Sequence, residues 1–331
     1  MNGTDSTGAN LDADAETVGR HAIEAFALLG HETRMEILLA IWEDHDLQAD
    51  DNAVSFSQIR SRVAHDDPGN LRYHLNKLEG HFVRQRSERG GYALRVPAKK
   101  LIREVVAGAG VHDKHLPPTR VDQRCPFCEA PTVMSYREGV LFWACHECGG
   151  MTPGRDFAPF DPPGPLTAHS FAPAGLHEWS PERLWSASLV AGWRRLRSMF
   201  DGICPNCSSP VNSWFDSCPD HDPDRCDDCG LRFGTTAHFR CSACDRHLGC
   251  TPKQLALFHP AVVSFYDDHG ISTRIRADAV DHAKRVYDLV LDHEVTVLDV
   301  EPISVAVTVS NDDETVRLTF DDSVRVVDVS R

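Results

Sequence analysis

The sequence predicts an α+β multidomain protein, and three patterns carry that prediction. Apolar residues recur at helical spacing in the first hundred residues, again over 181–200 and again in "ADAVDHAKRVYDLVLD". Strict alternation in "ISVAVTVS" and "ETVRLTF" puts Val305, Val307 and Val309 on one strand face and Val316, Leu318 and Phe320 on another, with a turn between them. Between these helical and stranded parts lie most of the 12 cysteines, largely as Cys-x-x-Cys pairs. At 331 residues the chain is long enough for two or three domains.

Composition narrows the class. Hydrophobic residues make up 41%, as in globular proteins. No run of about 18 apolar residues occurs, so no membrane span is expected. The N-terminus has neither a basic nor an apolar leader region, which predicts a cytoplasmic location and reduced thiols. The formal net charge of −15 disfavours nucleic acid as a partner, yet residues 60–103 carry eleven Lys/Arg against four Asp/Glu. A basic patch on an acidic body is compatible with DNA binding, and the Asp-rich remainder resembles halophilic adaptation.

The segments follow in order. Residues 1–16 are expected to be a disordered acidic tail. Residues 17–110 form the first domain, and "HDKHLPPTRVDQR" reads as a linker. A cysteine segment occupies 124–155. Residues 156–202 combine a Pro-rich extended connector with a helix opened by Ser180 and Pro181 as N-cap and first-turn residue. A second cysteine-rich module covers 203–252, and an α+β domain covers 253–331.

Within the first domain, "LGHETRMEILLAIWE" aligns Met35, Leu38, Leu39 and Trp42 on a helix face. Ser55 and Gln58 stand in capping-box spacing ahead of Ile59 and Val63. Asp67 and Pro68 then open a helix that buries Leu71, Leu75 and Leu78. Its other face carries Asn70, Arg72, Tyr73, Asn76 and Lys77, side chains suited to phosphates and base edges. "FVRQRSERGGYALRV" follows as a basic hairpin, with Arg86 and Arg89 near a turn at Ser87–Gly91. Helix, turn, helix and basic hairpin describe a winged helix-turn-helix, the second helix in the major groove and the wing on the backbone. His74, Trp42 and Phe82 are assigned to packing.

"LGHETRMEIL" and "NLRYHLNKLEGHFV" resemble the ArsR-like winged-helix transcriptional regulators, in the form found among halophilic archaea. The resemblance covers roughly 17–110. It implies a recognition helix over Asp67–Gly80, base reading by Asn70, Arg72 and Tyr73, and a homodimer built on the N-terminal and post-wing helices. The family's metal-sensing cysteines are missing from "SFSQIRSRVA", and His31–Glu32 replaces the usual Asp-Pro helix start.

The thiols predict structural zinc. Cys125, Cys128, Cys145 and Cys148 have the spacing of a four-thiolate zinc ribbon. A redox reading would need a βαβ context that the surrounding sequence lacks. Further on stand four ligand pairs: Cys204/Cys207, Cys218/His221, Cys226/Cys229 and Cys241/Cys244. They fit two tetrahedral ions through sequential, crossed or nested pairing, and the sequence leaves all three open. A one-zinc set of Cys204, Cys207, Cys226 and Cys229 is the simpler alternative. The expected cofactor is therefore two or three structural Zn²⁺ ions, with His146, His247 and Cys250 left aside.

Four-ligand sets are closed to substrate, and no metalloprotease helix motif, phosphate-cradling loop or activated nucleophile accompanies them, so no enzyme is expected. The expected function is a DNA-binding transcriptional regulator on double-stranded DNA. The alternative is a zinc-ribbon adaptor of the transcription machinery, similar to the TFIIE large subunit, without sequence reading. A ubiquitin-ligase-like scaffold rests on crossed pairing alone.

Overall fold

A computed structural model describes residues 23–44, 53–63, 67–86, 90–108, 115–153, 164–222 and 226–331. The expected disordered tail at 1–16 lies outside these residues. The chain is mixed α and β with several sheets, divided into two compact units, Met1–Gly110 and Val111–Arg331. Among the described residues, no helix is long and apolar enough to cross a membrane.

The first unit contains helices α1 (residues 23–29), α2 (Glu32–Glu43), α3 (Phe56–Arg62) and α4 (Pro68–Leu78). The antiparallel pair β1 (Val83–Gln85) and β2 (Tyr92–Leu94) follows, then α5 (Val96–Val106). The caps read from the sequence are in place. Ser55 Oγ accepts from the Gln58 N–H at 3.3 Å, and the Ser55 N–H donates to Gln58 Oε1 at 2.9 Å. The Asp67 carboxylate accepts from the Gly69 and Asn70 N–H groups at 3.0 and 3.1 Å. Ile37, Leu38 and Ile41 of α2 meet Ile59, Leu71, Leu75 and Leu78 in the core. Met35, Leu39 and Trp42 pack only at its margin, so the buried stripe of α2 is shifted from the one the spacing suggested.

The second unit is organised around α6 (Pro181–Phe200), whose Leu184, Trp185, Leu189, Trp193, Leu196 and Met199 are all buried. On it pack the four-stranded sheet β3 (Leu116–Arg124), β4 (Pro131–Arg137), β5 (Val140–Ala144) and β6 (Pro165–Ser170), in that order. The three-stranded sheet β7 (Val211–Ser217), β8 (Thr235–Cys241) and β9 (His247–Cys250) shares the same core. Helices α7 (Pro252–Ala256), α8 (Pro260–Asp268) and α9 (Val280–Asp292) lead to a meander of β10 (Glu294–Val300), β11 (Ile303–Asn311), β12 (Glu314–Phe320) and β13 (Val326–Ser330). The six residues named from alternation are fully buried.

Three boundaries differ from the sequence reading. The linker over 112–124 contains β3, which runs along a sheet edge where Pro117 and Pro118 cost no ladder bond. The Pro-rich connector contains β6 and a 3₁₀ turn at Pro173–His177. The segments 124–155, 203–252 and 253–331 share one continuous core, because each offers too few apolar residues to bury its own face. At its centre Trp185 meets Trp143 and Tyr287, ring centroids 5.3 and 6.3 Å away, edge to face. Ser180 does open α6, but its hydroxyl donates to Glu182 instead of capping the backbone.

The α6–β6 contact requires a missing side chain. A Cβ on Gly192 would stand 2.3 Å from His169 Nδ1. Gly192→Ala is therefore expected to cost about 1–3 kcal/mol by overpacking, read as a lower denaturant midpoint. A second expectation concerns acid. His293 is buried, donates from Nδ1 to the Lys253 carbonyl at 2.8 Å, and as a neutral ring accepts at Nε2 from the Tyr266 hydroxyl at 2.9 Å. Burial holds its pKa down, at about 4. The unfolded histidine, near 6.5, binds a proton first. Its contribution is thus complete above about pH 6.5 and is lost as pH falls towards 4. His293→Gln should flatten that part of the stability–pH profile.

Candidate metal centres

The structure gathers all twelve thiol and imidazole donors named from the sequence into three groups of four: Cys125, Cys128, Cys145 and Cys148; Cys204, Cys207, Cys241 and Cys244; and Cys218, His221, Cys226 and Cys229. Within each group the donor atoms lie within 4.8 Å of one another. Pairing in the second cysteine-rich stretch is therefore nested, first pair with fourth and second with third. The one-ion set of Cys204, Cys207, Cys226 and Cys229 is not formed, since its two halves belong to different groups.

One local conformation recurs. The residue after the second cysteine of every Cys-x-x-Cys has positive φ: Glu129 at 56°, Gly149 at 70°, Ser208 at 63°, Gly230 at 68° and Asp245 at 57°. This left-handed residue turns the chain back, so that Glu129, Ser208 and Gly230 each donate to the carbonyl of the leading cysteine at 2.9 Å. Both sulfurs then face one point. Backbone N–H groups also reach sulfur, from Phe127 to Cys125 at 3.5 Å and from Ala243 and Cys244 to Cys241 at 3.4 Å. Glycine at 149 and 230 was a legible signal; Glu129, Ser208 and Asp245 were not.

Sulfur separations fit a shared ion. Cys125–Cys148 and Cys128–Cys145 are both 3.6 Å apart, Cys204–Cys244 3.6 Å, Cys207–Cys241 3.4 Å and Cys218–Cys226 3.8 Å. A tetrahedral ion with bonds of about 2.3 Å to sulfur spaces its ligands about 3.8 Å apart, whereas a disulfide needs about 2.05 Å. All 12 cysteines are free. Thiol ionisation varies within the sets. The Ser209 hydroxyl and N–H bring Cys207 down to about 6, and backbone N–H groups of Cys229 and Asp222 bring Cys226 to about 6. Burial pushes Cys125 up. A cation common to each set would favour the thiolate throughout.

The β7–β8 hairpin carries one centre at each end. Cys204/Cys207 and Cys241/Cys244 flank its open end, and Cys218/His221 and Cys226/Cys229 lie beyond Ser217 and before Thr235. In the latter, His221 Nδ1 is 3.5 Å from Cys229 Sγ, while Nε2 stands 3.2 Å from the Arg232 carbonyl. With the ring proton on Nε2, that bond aims Nδ1 at the donor set. The ring lies against Gly234, where a Cβ would stand 2.6 Å from its Cγ.

Arg232, which no motif marked, ties two centres together. Its guanidinium donates to the Gly150 carbonyl at 2.6 Å and the Cys148 carbonyl at 3.1 Å, and sits 4.2 Å over the Phe127 ring. A second residue missed from the sequence, Gly164, lets a strand pass the first centre: a Cβ there would stand 2.2 Å from the Cys145 carbonyl.

A family model described as a domain of unknown function (DUF7351) matches residues 122–326, more than half of the chain. The chain belongs to that family. The matched DUF7351 region contains all three centres and nearly the whole shared core. A second model, also described as a domain of unknown function (DUF7347), matches residues 22–105 of the first unit. No curated protein and no solved structure matches the chain.

The residues named for nucleic acid are placed as follows. Arg72, Tyr73, Asn76 and Lys77 are exposed on α4, opposite the buried Leu71, Leu75 and Leu78, and Asn70 is half-buried. Arg86 is half-buried after β1, and Arg89 lies outside the described residues. His74 is buried against the His31 ring, as its packing assignment expected. His146 is in none of the groups, Cys250 is a buried lone thiol, and His247 belongs to a separate histidine pair.

Arg232→Ala is expected to speed chelator-driven metal release from the centres of Cys125 and of Cys218. The centre of Cys204 should be untouched, as followed by thiol exposure in each Cys→Ser background. Losing a hydrogen bond that orients the ligands typically weakens metal affinity about 10- to 100-fold.

Proposed function

We propose that this DUF7351 protein is a DNA-binding transcriptional regulator whose three centres are closed, structural zinc sites. The observation that carries the reading is the division of α4 into two faces. One is buried and formed by Leu71, Leu75 and Leu78 with His74 among them. The other presents Arg72, Tyr73, Asn76 and Lys77 to solvent from a helix capped at Asp67. Both cations are held by aromatic neighbours, Arg72 at 5.2 Å over Phe56 and Lys77 at 5.7 Å over Tyr73, which reduces the freedom they lose on binding.

The surrounding elements support a winged helix-turn-helix of the ArsR-like kind. Helix α3 precedes α4 across a short break, β1 and β2 follow as a hairpin, and Val54 pairs with Tyr92 through bonds of 2.9 and 2.8 Å, adding a third extended segment. In that reading α4 enters the major groove and Arg86, with Arg89, lies along the flanking backbone. Ile23 and Phe26 of α1 are 70% and 75% exposed, and Val105 and Val106 of α5 are 38% and 60% exposed. These apolar side chains suit the interface of a homodimer.

Zinc suits the three donor sets because it accepts four soft ligands tetrahedrally and carries no redox chemistry. With every position filled by protein, no water or substrate site remains at the ions, and the role is folding, not catalysis.

The deciding experiment is selection of duplexes from a random library at salt matched to an acidic protein. Enrichment of an inverted repeat is the expected result. Arg72→Ala should cost about 1–3 kcal/mol and relax one base position, while Lys77→Ala should weaken all sequences alike and lower the salt slope by about one. Three equivalents of zinc with no enriched motif would favour an adaptor of the transcription machinery instead.

A further inference from the structure

The outward face of the β7–β8–β9 sheet holds a side-chain cluster apart from the three centres. His238 Nδ1 and His247 Nε2 face each other 3.0 Å apart, their rings nearly parallel at 9°. The other nitrogen of His238 lies 3.2 Å from the Asp216 carboxylate. Trp214 is stacked on both imidazoles at 17°, with centroids 5.3 and 6.0 Å away. Strand register explains the convergence: Trp214 pairs with His238, and Arg240, next on the same face, pairs with His247.

We propose that His238 and His247 form a fourth metal site, open to solvent, for a divalent ion that prefers imidazole, of the nickel class. Three features of the cluster point to it. The two nitrogens meet head-on at 3.0 Å, and cis ligands with bonds of about 2.1 Å at right angles need that same separation, so rotation of each ring turns both towards one ion. The Asp216 carboxylate takes the Nε2–H of His238, which fixes the tautomer and leaves the Nδ1 lone pair facing His247. This carboxylate–histidine arrangement is the one that orients imidazoles towards metals. Finally, Asp216 is 69% exposed while His238 is 20% exposed, so anionic charge sits at the rim and the donor beneath it. The nearby Arg240 guanidinium is engaged by Asp245.

In the metal-free pair, one N–H of His247 bridges the gap. When the dication enters, that proton moves to His247 Nδ1 and both facing nitrogens become ligands; no redox change or proton release is needed. Water fills the remaining positions, so this ion exchanges, unlike those enclosed by four protein donors. The site is independent of whether α4 reads DNA.

The test uses full-length, tag-free protein loaded with zinc and titrated with Ni²⁺. Uptake is followed by metal analysis and by quenching of Trp214 fluorescence, with zinc release monitored in parallel. One equivalent of Ni²⁺ beyond the zinc, with no zinc released, is expected. His247→Gln should abolish uptake, and Asp216→Asn should weaken it about 10- to 100-fold without removing it. Both are surface substitutions, and unchanged zinc content serves as the folding control. Absence of extra uptake, uptake only with zinc release, or equal uptake by His247→Gln would overturn the proposal.

Discussion

The burial of α6 is the interaction on which the second unit depends. Ten of its residues are buried, among them Trp185, Leu189 and Met199. Each large apolar side chain so placed contributes about 1.5–3 kcal/mol. No neighbouring segment could supply this alone. The β3–β6 and β7–β9 sheets each lay an apolar face on α6, and the terminal meander joins the same core through α7 and α8. The segment that looks in sequence like a tether between two cysteine modules is thus the spine of their common core. That a single family model spans 122–326 fits a region that folds as one body.

Around that spine, metal-binding geometry is imposed by backbone conformation. Five Cys-x-x-Cys turns repeat the same left-handed residue, and the chain reversal it produces brings each pair of sulfurs to one side. Three of those positions hold Glu129, Ser208 and Asp245, where a left-handed conformation costs about 1–2 kcal/mol over glycine. Short local hydrogen bonds and the convergence of four donors offset that cost. The two groups on the β7–β8 hairpin then clamp it from both ends, and Arg232 links the inner one to the first centre. Electrostatics vary within a set too: backbone N–H groups bring Cys226 down, while burial pushes its neighbour Cys218 up.

The two units distribute charge differently. The basic residues of 60–103 stand on a chain whose net charge is −15. Within 60–103 eleven Lys/Arg stand against four Asp/Glu, so the basic charge is local to that stretch.

Much was legible in the sequence because it depends on local rules. Caps at Ser55 and Asp67, the alternating valines of β11, and the twelve ligands in pairs follow from short-range chemistry and period, and the structure places each accordingly. The strands β3 and β6 escaped because prolines on edge strands read as linkers, and nothing local reports that a partner strand is near. Likewise, the sequence by itself determined which residues could ligate metal. Only tertiary structure decided that the pairs nest, that Arg232 joins two centres, and that His238 faces His247. Those outcomes depend on strand register and on packing between residues far apart in the chain, which no spacing along it encodes.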